Sequence, residues 1–315
     1  MKRRAALFTL FGAAFSLGAS WSRVTQAASI NSPPKRIVVL DWGLTEILLS
    51  IGVVPVGAAN TKGFAHNYPA CAVPASVVDL GLMFQPNLEV MLTLRPDLIL
   101  ITPAHAALRG TLERIAPTVT MGLYRSSETP YSAMRAETLQ LAGMLGVTAN
   151  AQAMLTHTDD VIATTRAALA QRPEPARDTP LYLVHFLDES RLRVYGPHSW
   201  YGELLTQLGI RNAWPGTTHG RAYLTTGVDT LADDTHATLA YISPLSPLAA
   251  NMMQTSPVWR ATPYAQPGRT VALPEVPTDA GLLSAMAFAH AIGGAFAGNA
   301  PQASAAIDTT RQEAA

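Results

Sequence analysis

Few residues in this chain could do covalent chemistry, and their spacing argues against it. Gly196-Pro-His-Ser-Trp-Tyr-Gly sets a nucleophile-capable Ser199 directly beside a base-capable His198. Adjacent residues cannot form a triad by themselves, and no Gly-x-Ser-x-Gly elbow occurs. An exported hydrolase using His198 or Ser199 is therefore the weaker reading. The eight histidines are scattered, with no His-Glu-x-x-His and no paired spacing on one helix, so no metal ligand is assigned. Cys71 is the single cysteine, which excludes an internal disulfide or a thiolate metal centre and reads as a buried thiol. No Gly-x-Gly-x-x-Gly or phosphate loop supports nucleotide binding. No catalytic residue and no covalently bound cofactor is assigned; the chain reads as a binding protein, not an enzyme.

The elements that would hold a binding site are easier to see. Val147 to Arg172 contains neither Pro nor Gly and lies between Gly146 and Pro173. Within it Ala151, Leu155, Thr158, Ile162, Thr165 and Leu169 recur at spacings of four and three, one face of a helix roughly 39 Å long. Its five threonines are mediocre helix formers, so packing must stabilise it. On either side the pattern is strand alternating with helix. Arg36–Leu40, Gly52–Gly57, Leu98–Ile101 and Pro117–Met121 read as strands before it, with helices over Thr45–Ser50, Asn87–Leu94, Leu112–Ile115 and Tyr131–Leu145. After it come strands Pro180–Phe186, Arg191–Tyr195, Thr238–Ile242 and Arg269–Leu273, helices near Glu203–Leu208, Asp229–Asp233 and Leu282–Phe296, and a packed loop at Pro257–Trp259 with Tyr264. This is an α/β chain of two Rossmann-like lobes with mostly parallel sheets, joined by one long α-helix.

The halves also echo each other. Thr45-Glu-Ile-Leu-Leu-Ser-Ile-Gly52 resembles Gly202-Glu-Leu-Leu-Thr-Gln-Leu-Gly209, and Glu89 and Asp229 each lie nine residues ahead of a strand. The expected division is a signal peptide over 1–28, an N-terminal lobe over 34–146, an interlobe helix over 147–172, a C-terminal lobe over 178–298 and a flexible tail over 299–315.

Lys2-Arg3-Arg4, the apolar run Ala5–Ser20 and the small residues Thr25-Gln-Ala-Ala28 form an export signal; the paired arginines with modest hydrophobicity point to the twin-arginine route, with a general secretory signal as the alternative. Four basic residues fall in that segment; without them 18 basic residues face 22 acidic ones, which argues against a nucleic-acid partner. A hydrophobic fraction of 48% is ample for a core. The expected location is the periplasm.

Arg36-Ile-Val-Val-Leu-Asp-Trp, Asp79-Leu-Gly-Leu, Pro86-Asn-Leu-Glu and Leu94-Arg-Pro-Asp-Leu-Ile, followed by Val194-Tyr-Gly-Pro-His-Ser, Leu208-Gly-Ile-Arg-Asn-Ala-Trp and Leu283-Ser-Ala-Met, form an ordered set. Over about residues 34–296 it resembles the iron-siderophore periplasmic binding proteins, class III solute-binding proteins of ABC importers, and their ferric-hydroxamate-binding branch most closely. The resemblance implies a monomer that holds a ferric siderophore in a shallow cleft between lobes and delivers it to a permease and its ATPase. A haem or corrinoid carrier of the same fold is the alternative, with His105 the one candidate axial ligand. The resemblance also implies docking of Glu89 and Asp229 on permease arginines, where two separated charge pairs would orient the encounter. The competing reading makes both ordinary first-turn helix acids.

At the cleft the chain departs from that branch. Hydroxamate-contacting arginine and tyrosine positions fall on Met83 and His105, and two lining tryptophans fall on Arg221 and near Pro277. The equivalent loops offer Phe84, His105, Arg109, Arg221, Tyr223 and Asp279, with Trp42 at the end of the first strand facing either cleft or core. Arg109 and Arg221 suit a carboxylate or mixed-type ligand, or are solvated surface arginines. His105 either donates to ligand oxygens or caps a loop. Trp200, Trp214 and Trp259 read as packing.

Overall fold

The β-branched run Ile37–Val39 (β1) is buried on both faces, as an inner parallel strand must be. The protein is described here from a computed structural model covering residues 32–174, 176–216, 218, 223–232, 236–277 and 281–297. The chain leaves β1 through Asp41, whose carboxylate accepts from Leu44 N at 3.0 Å and so starts α1 (Trp42–Ser50) three residues before the expected Thr45. The second strand is shorter and later than Gly52–Gly57. Pro55 has no amide to donate, so the ladder begins with Val56 N to Ile37 O (2.8 Å), and β2 is Gly57–Ala58.

A helix absent from the sequence reading, α2 (Thr61–Asn67), follows, then β3 (Val78–Asp79), a small hairpin of β4 (Gly81–Leu82) and β5 (Gln85–Pro86), and α3 (Leu88–Leu94). Next come β6 (Leu98–Ile101), a 3-10 turn over Pro103–Leu108, α4 (Arg109–Leu112), β7 (Thr118–Thr120) and α5 (Pro130–Leu145). The helix expected over Leu112–Ile115 thus ends where it was expected to begin. These strands form a five-stranded parallel sheet in the order β3-β2-β1-β6-β7.

The joining helix α6 runs Thr148–Ala170, roughly 35 Å. Its buried residues are the six that the periodicity selected, Ala151 through Leu169. Thr158 tolerates complete burial because its hydroxyl donates to Met154 O at 2.8 Å. Beyond it the second sheet has the order β10-β9-β8-β11-β12, from β8 (Leu181–Phe186), β9 (Arg191–Val194), β10 (Leu224–Gly227), β11 (Thr238–Ile242) and β12 (Thr270–Leu273). Here β8, β11 and β12 are parallel, and β9 runs antiparallel between β8 and β10.

The helices of this lobe are α7 (Trp200–Gln207), α8 (Pro247–Thr255), α9 (Pro257–Ala261) and α10 (Leu282–Ala297). The stretch expected to be a packed loop at Pro257 is helical, and α8 was not anticipated. Both carry a local signal: Ser246-Pro247 and Ser256-Pro257 each supply a capping hydroxyl and a proline at the first helical position. The segment around Asp229 is a 3-10 turn over Val228–Leu231. One apolar cluster runs through both lobes, joining Leu44, Ile47 and Leu100 to Leu155 and Ile162 of α6 and to Trp200, Leu204 and Phe288. The lobes therefore share a core along α6 rather than touching through a thin linker.

Candidate functional site

In the first sheet the chain turns away in opposite directions from β1 and β6. In open α/β sheets, the crevice at the carboxyl ends of such a strand pair is where ligands bind. Asp41 and Trp42 leave β1 there, Thr102–Arg109 leave β6, and Gly122–Ser126 leave β7. The strongest electrostatic feature is one the sequence reading missed. Arg125 lays its planar fork on Asp41, Nη1 to Oδ2 at 3.0 Å and Nη2 to Oδ1 at 2.8 Å, with its guanidinium 5.4 Å from the Tyr124 ring centre. Asp41 thereby caps α1 and orients a cation at once.

Trp42 is half-buried, and both sequence readings have some truth in its place. Its indole N–H is shared between the carbonyls of Ala59 and Asn60, each 3.2 Å away, and its ring meets the edge of Tyr68 at 6.2 Å. Tyr68 stacks on Phe64 at 4.7 Å, and burial pushes its hydroxyl well above the usual tyrosine range. The indole is thus fixed before any ligand arrives.

His105 is only 1% exposed. Its Nδ1 accepts from Thr102 N–H at 3.2 Å and lies 2.9 Å from the Thr102 hydroxyl, which caps the turn after β6 and leaves the neutral ring its proton on Nε2. Burial lowers its pKa, partly offset by the nearby Asp41 charge. Phe84, at the tip of the β4–β5 hairpin and 55% exposed, stacks over the ring at 4.9 Å. What this pair presents to solvent is the phenyl face. Each guanidinium nitrogen of Arg109 already has an acceptor inside the lobe: Glu113 at 2.7 Å, Thr120 Oγ1 at 2.9 Å and Thr118 O at 3.1 Å.

From the second lobe, Tyr223 is half-buried under the Arg193 guanidinium (4.4 Å) and meets Tyr195 edge-on at 6.1 Å. Tyr195 packs on Tyr201 at 4.9 Å, and the Tyr201 hydroxyl donates to Val276 O at 2.6 Å. Shortly beyond Val276, Gly281 N donates to Glu46 of α1 at 2.8 Å. The contacts from Tyr223 thus reach Val276, and Gly281, further along the chain, meets the first lobe. Arg221 and Asp279 lie outside the described residues.

Glu89, in the first turn of α3, and Asp229, in the 3-10 turn after β10, are both exposed. Trp200 and Trp259 are buried and Trp214 partly so. Ser199 caps α7: its hydroxyl donates to Gly196 O (2.6 Å) and accepts from Gly202 N (2.9 Å), while the exposed His198 lies near Glu128. The Ser199 proton is thus directed at a carbonyl, not at His198. Cys71 is buried, and desolvation pushes its thiol up to about 12.

Comparison with known proteins agrees with this architecture. The family model described as periplasmic binding protein matches residues 37–277. The iron(3+)-hydroxamate-binding protein FhuD of Escherichia coli (strain K12) is 30% identical over 274 residues, 87% of this chain and 90% of that one. The Fe(3+) dicitrate-binding periplasmic protein FecB of the same organism is 25% identical over 244 residues, 76% of each chain. Among solved structures, the Fe3+–Desferal-bound siderophore-binding protein FhuD of Vibrio cholerae is similar at a TM-score of 0.77 and 28% identity, over 85% of this chain and 99% of that one. On sequence and fold alike, this chain belongs to the periplasmic binding protein family.

Proposed function

We propose that this protein captures a ferric siderophore between its lobes and delivers it to an ABC permease and ATPase at the inner membrane. The observation that carries the reading is the β1/β6 crevice with its prearranged aromatic rim, Trp42 and the Phe84 face, beside the oriented Arg125–Asp41 pair. A siderophore already fills the coordination sphere of its iron, so recognition falls to flat apolar surfaces and a few fixed polar groups. Supporting it, the relatives named above are proteins for ferric hydroxamate, ferric dicitrate and Fe3+–Desferal. Tyr223 would close the site from the second lobe, and Arg221 and Asp279 are proposed ligand contacts on the strength of the resemblance alone.

The Arg109 nitrogens are engaged inside the lobe, and Arg125 is held by Asp41 through both terminal nitrogens, so the Arg125–Asp41 pair would face ligand oxygens as one oriented unit. The haem alternative would need His105 as axial ligand, and that ring lies beneath Phe84. The lobes would extend over 34–146 and 178–298 with the helix at 147–172 between them. Residues 1–28 would direct export to the periplasm by the twin-arginine route, and the protein would act as a monomer. Glu89 and Asp229, exposed on separate lobes, would meet arginines of the permease.

The test is intrinsic tryptophan fluorescence titrated with ferric desferrioxamine and ferric dicitrate. Saturable submicromolar quenching by one of them is expected, weakened roughly two- to tenfold in Phe84→Ala, since an aromatic contact contributes roughly 0.5–1.5 kcal/mol. Absence of saturable quenching by both overturns the reading.

A further inference from the structure

The echoed octapeptides fold into equivalent helices, and each carries a carboxylate across to the other lobe. Both helices close on a glycine in the left-handed region, Gly52 at φ 78° and Gly209 at φ 76°. Glu46 of α1 accepts from Gly281 N (2.8 Å), Ser284 N (2.7 Å) and Ser284 Oγ (2.9 Å), at the start of α10 in the second lobe. Glu203 of α7 accepts from Tyr131 N (2.8 Å), Ser132 N (3.2 Å) and the Ser132 hydroxyl, at the start of α5 in the first lobe. Each carboxylate sits on the positive end of a helix dipole that belongs to the opposite half of the molecule. Their surroundings differ: Glu46 is fully buried, whereas Glu203 is half-buried against an exposed Ser132.

We propose that Glu46 and Glu203 are positioning residues for the ligand site, a reciprocal pair of interlobe clasps with Glu46 as the fixed pivot and Glu203 as the clasp that yields. This rests on the binding function proposed above. The second clasp leads directly to the site. Helix α5, held at its start by Glu203, holds the β7 exit loop through Glu137, which accepts from Gly122 N (2.9 Å) and Leu123 N (3.0 Å). That loop carries Arg125 to Asp41. Releasing Glu203 therefore loosens the Arg125–Asp41 pair without touching a ligand. The water-accessible clasp yields first because water can replace its hydrogen bonds, whereas three donors around Glu46 would be orphaned in the core.

Spin labels on Thr93→Cys and Thr255→Cys, exposed positions on the two lobes, report the interlobe distance by pulsed electron resonance, and the buried Cys71 thiol resists labelling. Without ligand, Glu203→Ala is expected to broaden the distance distribution, Ser132→Ala to broaden it less, and Glu203→Gln, which keeps one acceptor oxygen, to recover most of the original width. Affinity for ferric desferrioxamine or ferric dicitrate should fall roughly two- to thirtyfold in Glu203→Ala and recover in Glu203→Gln. An unchanged width in both Glu203→Ala and Ser132→Ala overturns the proposal. So does broadening with unchanged affinity, which would leave the clasp a purely structural contact. Should neither chelate bind the wild type, the binding reading itself fails, and the distance measurement still decides whether the clasp exists.

Discussion

Helices α1 and α7 make the same long-range contact in two different solvents. Each spends a glutamate on the first turn of a helix from the other lobe, yet one carboxylate lies in the core and the other at a wet seam. A similar set of hydrogen bonds therefore does not mean an identical mechanical role. In the core, breaking the contact strands donors that nothing else can satisfy. At the seam, water takes their place. The two echoed segments share the geometry of the contact, and burial distinguishes them as a pivot and a release.

The sharpest way to break this comparison is to truncate both carboxylates. Glu46→Ala removes the acceptor of three buried donors and is expected to cost roughly 3–5 kcal/mol. Glu203→Ala removes a half-exposed helix cap and is expected to cost about 1 kcal/mol. Urea unfolding of both variants measures the difference, and equal costs would erase the distinction between the clasps. Between these two in size stands Ile162→Ala on the buried face of α6, expected at roughly 2–4 kcal/mol with no effect on the interlobe distance distribution. A broadened distribution in that variant would shift the control of lobe geometry from the clasps to the helix.

How much of this was legible beforehand depends on how far each contact reaches along the chain. The buried face of α6 could be read directly because period 3.6 is a local property, as could β6 with its four consecutive apolar residues. The nine-residue spacing of Glu89 and Asp229 from their strands also holds, since β6 begins at Leu98 and β11 at Thr238. The echo between Thr45–Gly52 and Gly202–Gly209 was visible, but its purpose was not, because Glu46 and Ser284 are 238 residues apart. Arg125 escaped notice for the same reason: its partner Asp41 lies 84 residues away, and nothing local distinguishes it from a solvated arginine. His105 shows the converse. Its residue type suits ligand chemistry, but Thr102, three positions earlier, offers a capping partner that burial then completes. Helices α8 and α9 carry a local signal in their Ser-Pro starts.

The smallest predicted effect tests the buried clasp by charge rather than by truncation. Burial raises the Glu46 pKa above its ordinary 4.5, and the donors from Gly281 and Ser284 offset only part of that. Between pH 4.5 and the raised value the folded state holds a proton that the unfolded chain has lost, so stability falls as pH rises through that window. The titratable groups facing Glu46, the buried Tyr68 hydroxyl and Cys71 thiol, are both held neutral there and cannot cancel the slope. Glu46→Gln removes the titration while keeping one acceptor oxygen. Its amide group opposes the helix donors, so the variant starts less stable at pH 4, and the gap to wild type should narrow as pH rises toward 8. Urea unfolding across that range reads the gap. A flat gap would mean that the buried helix end stabilises the charge as fully as water does.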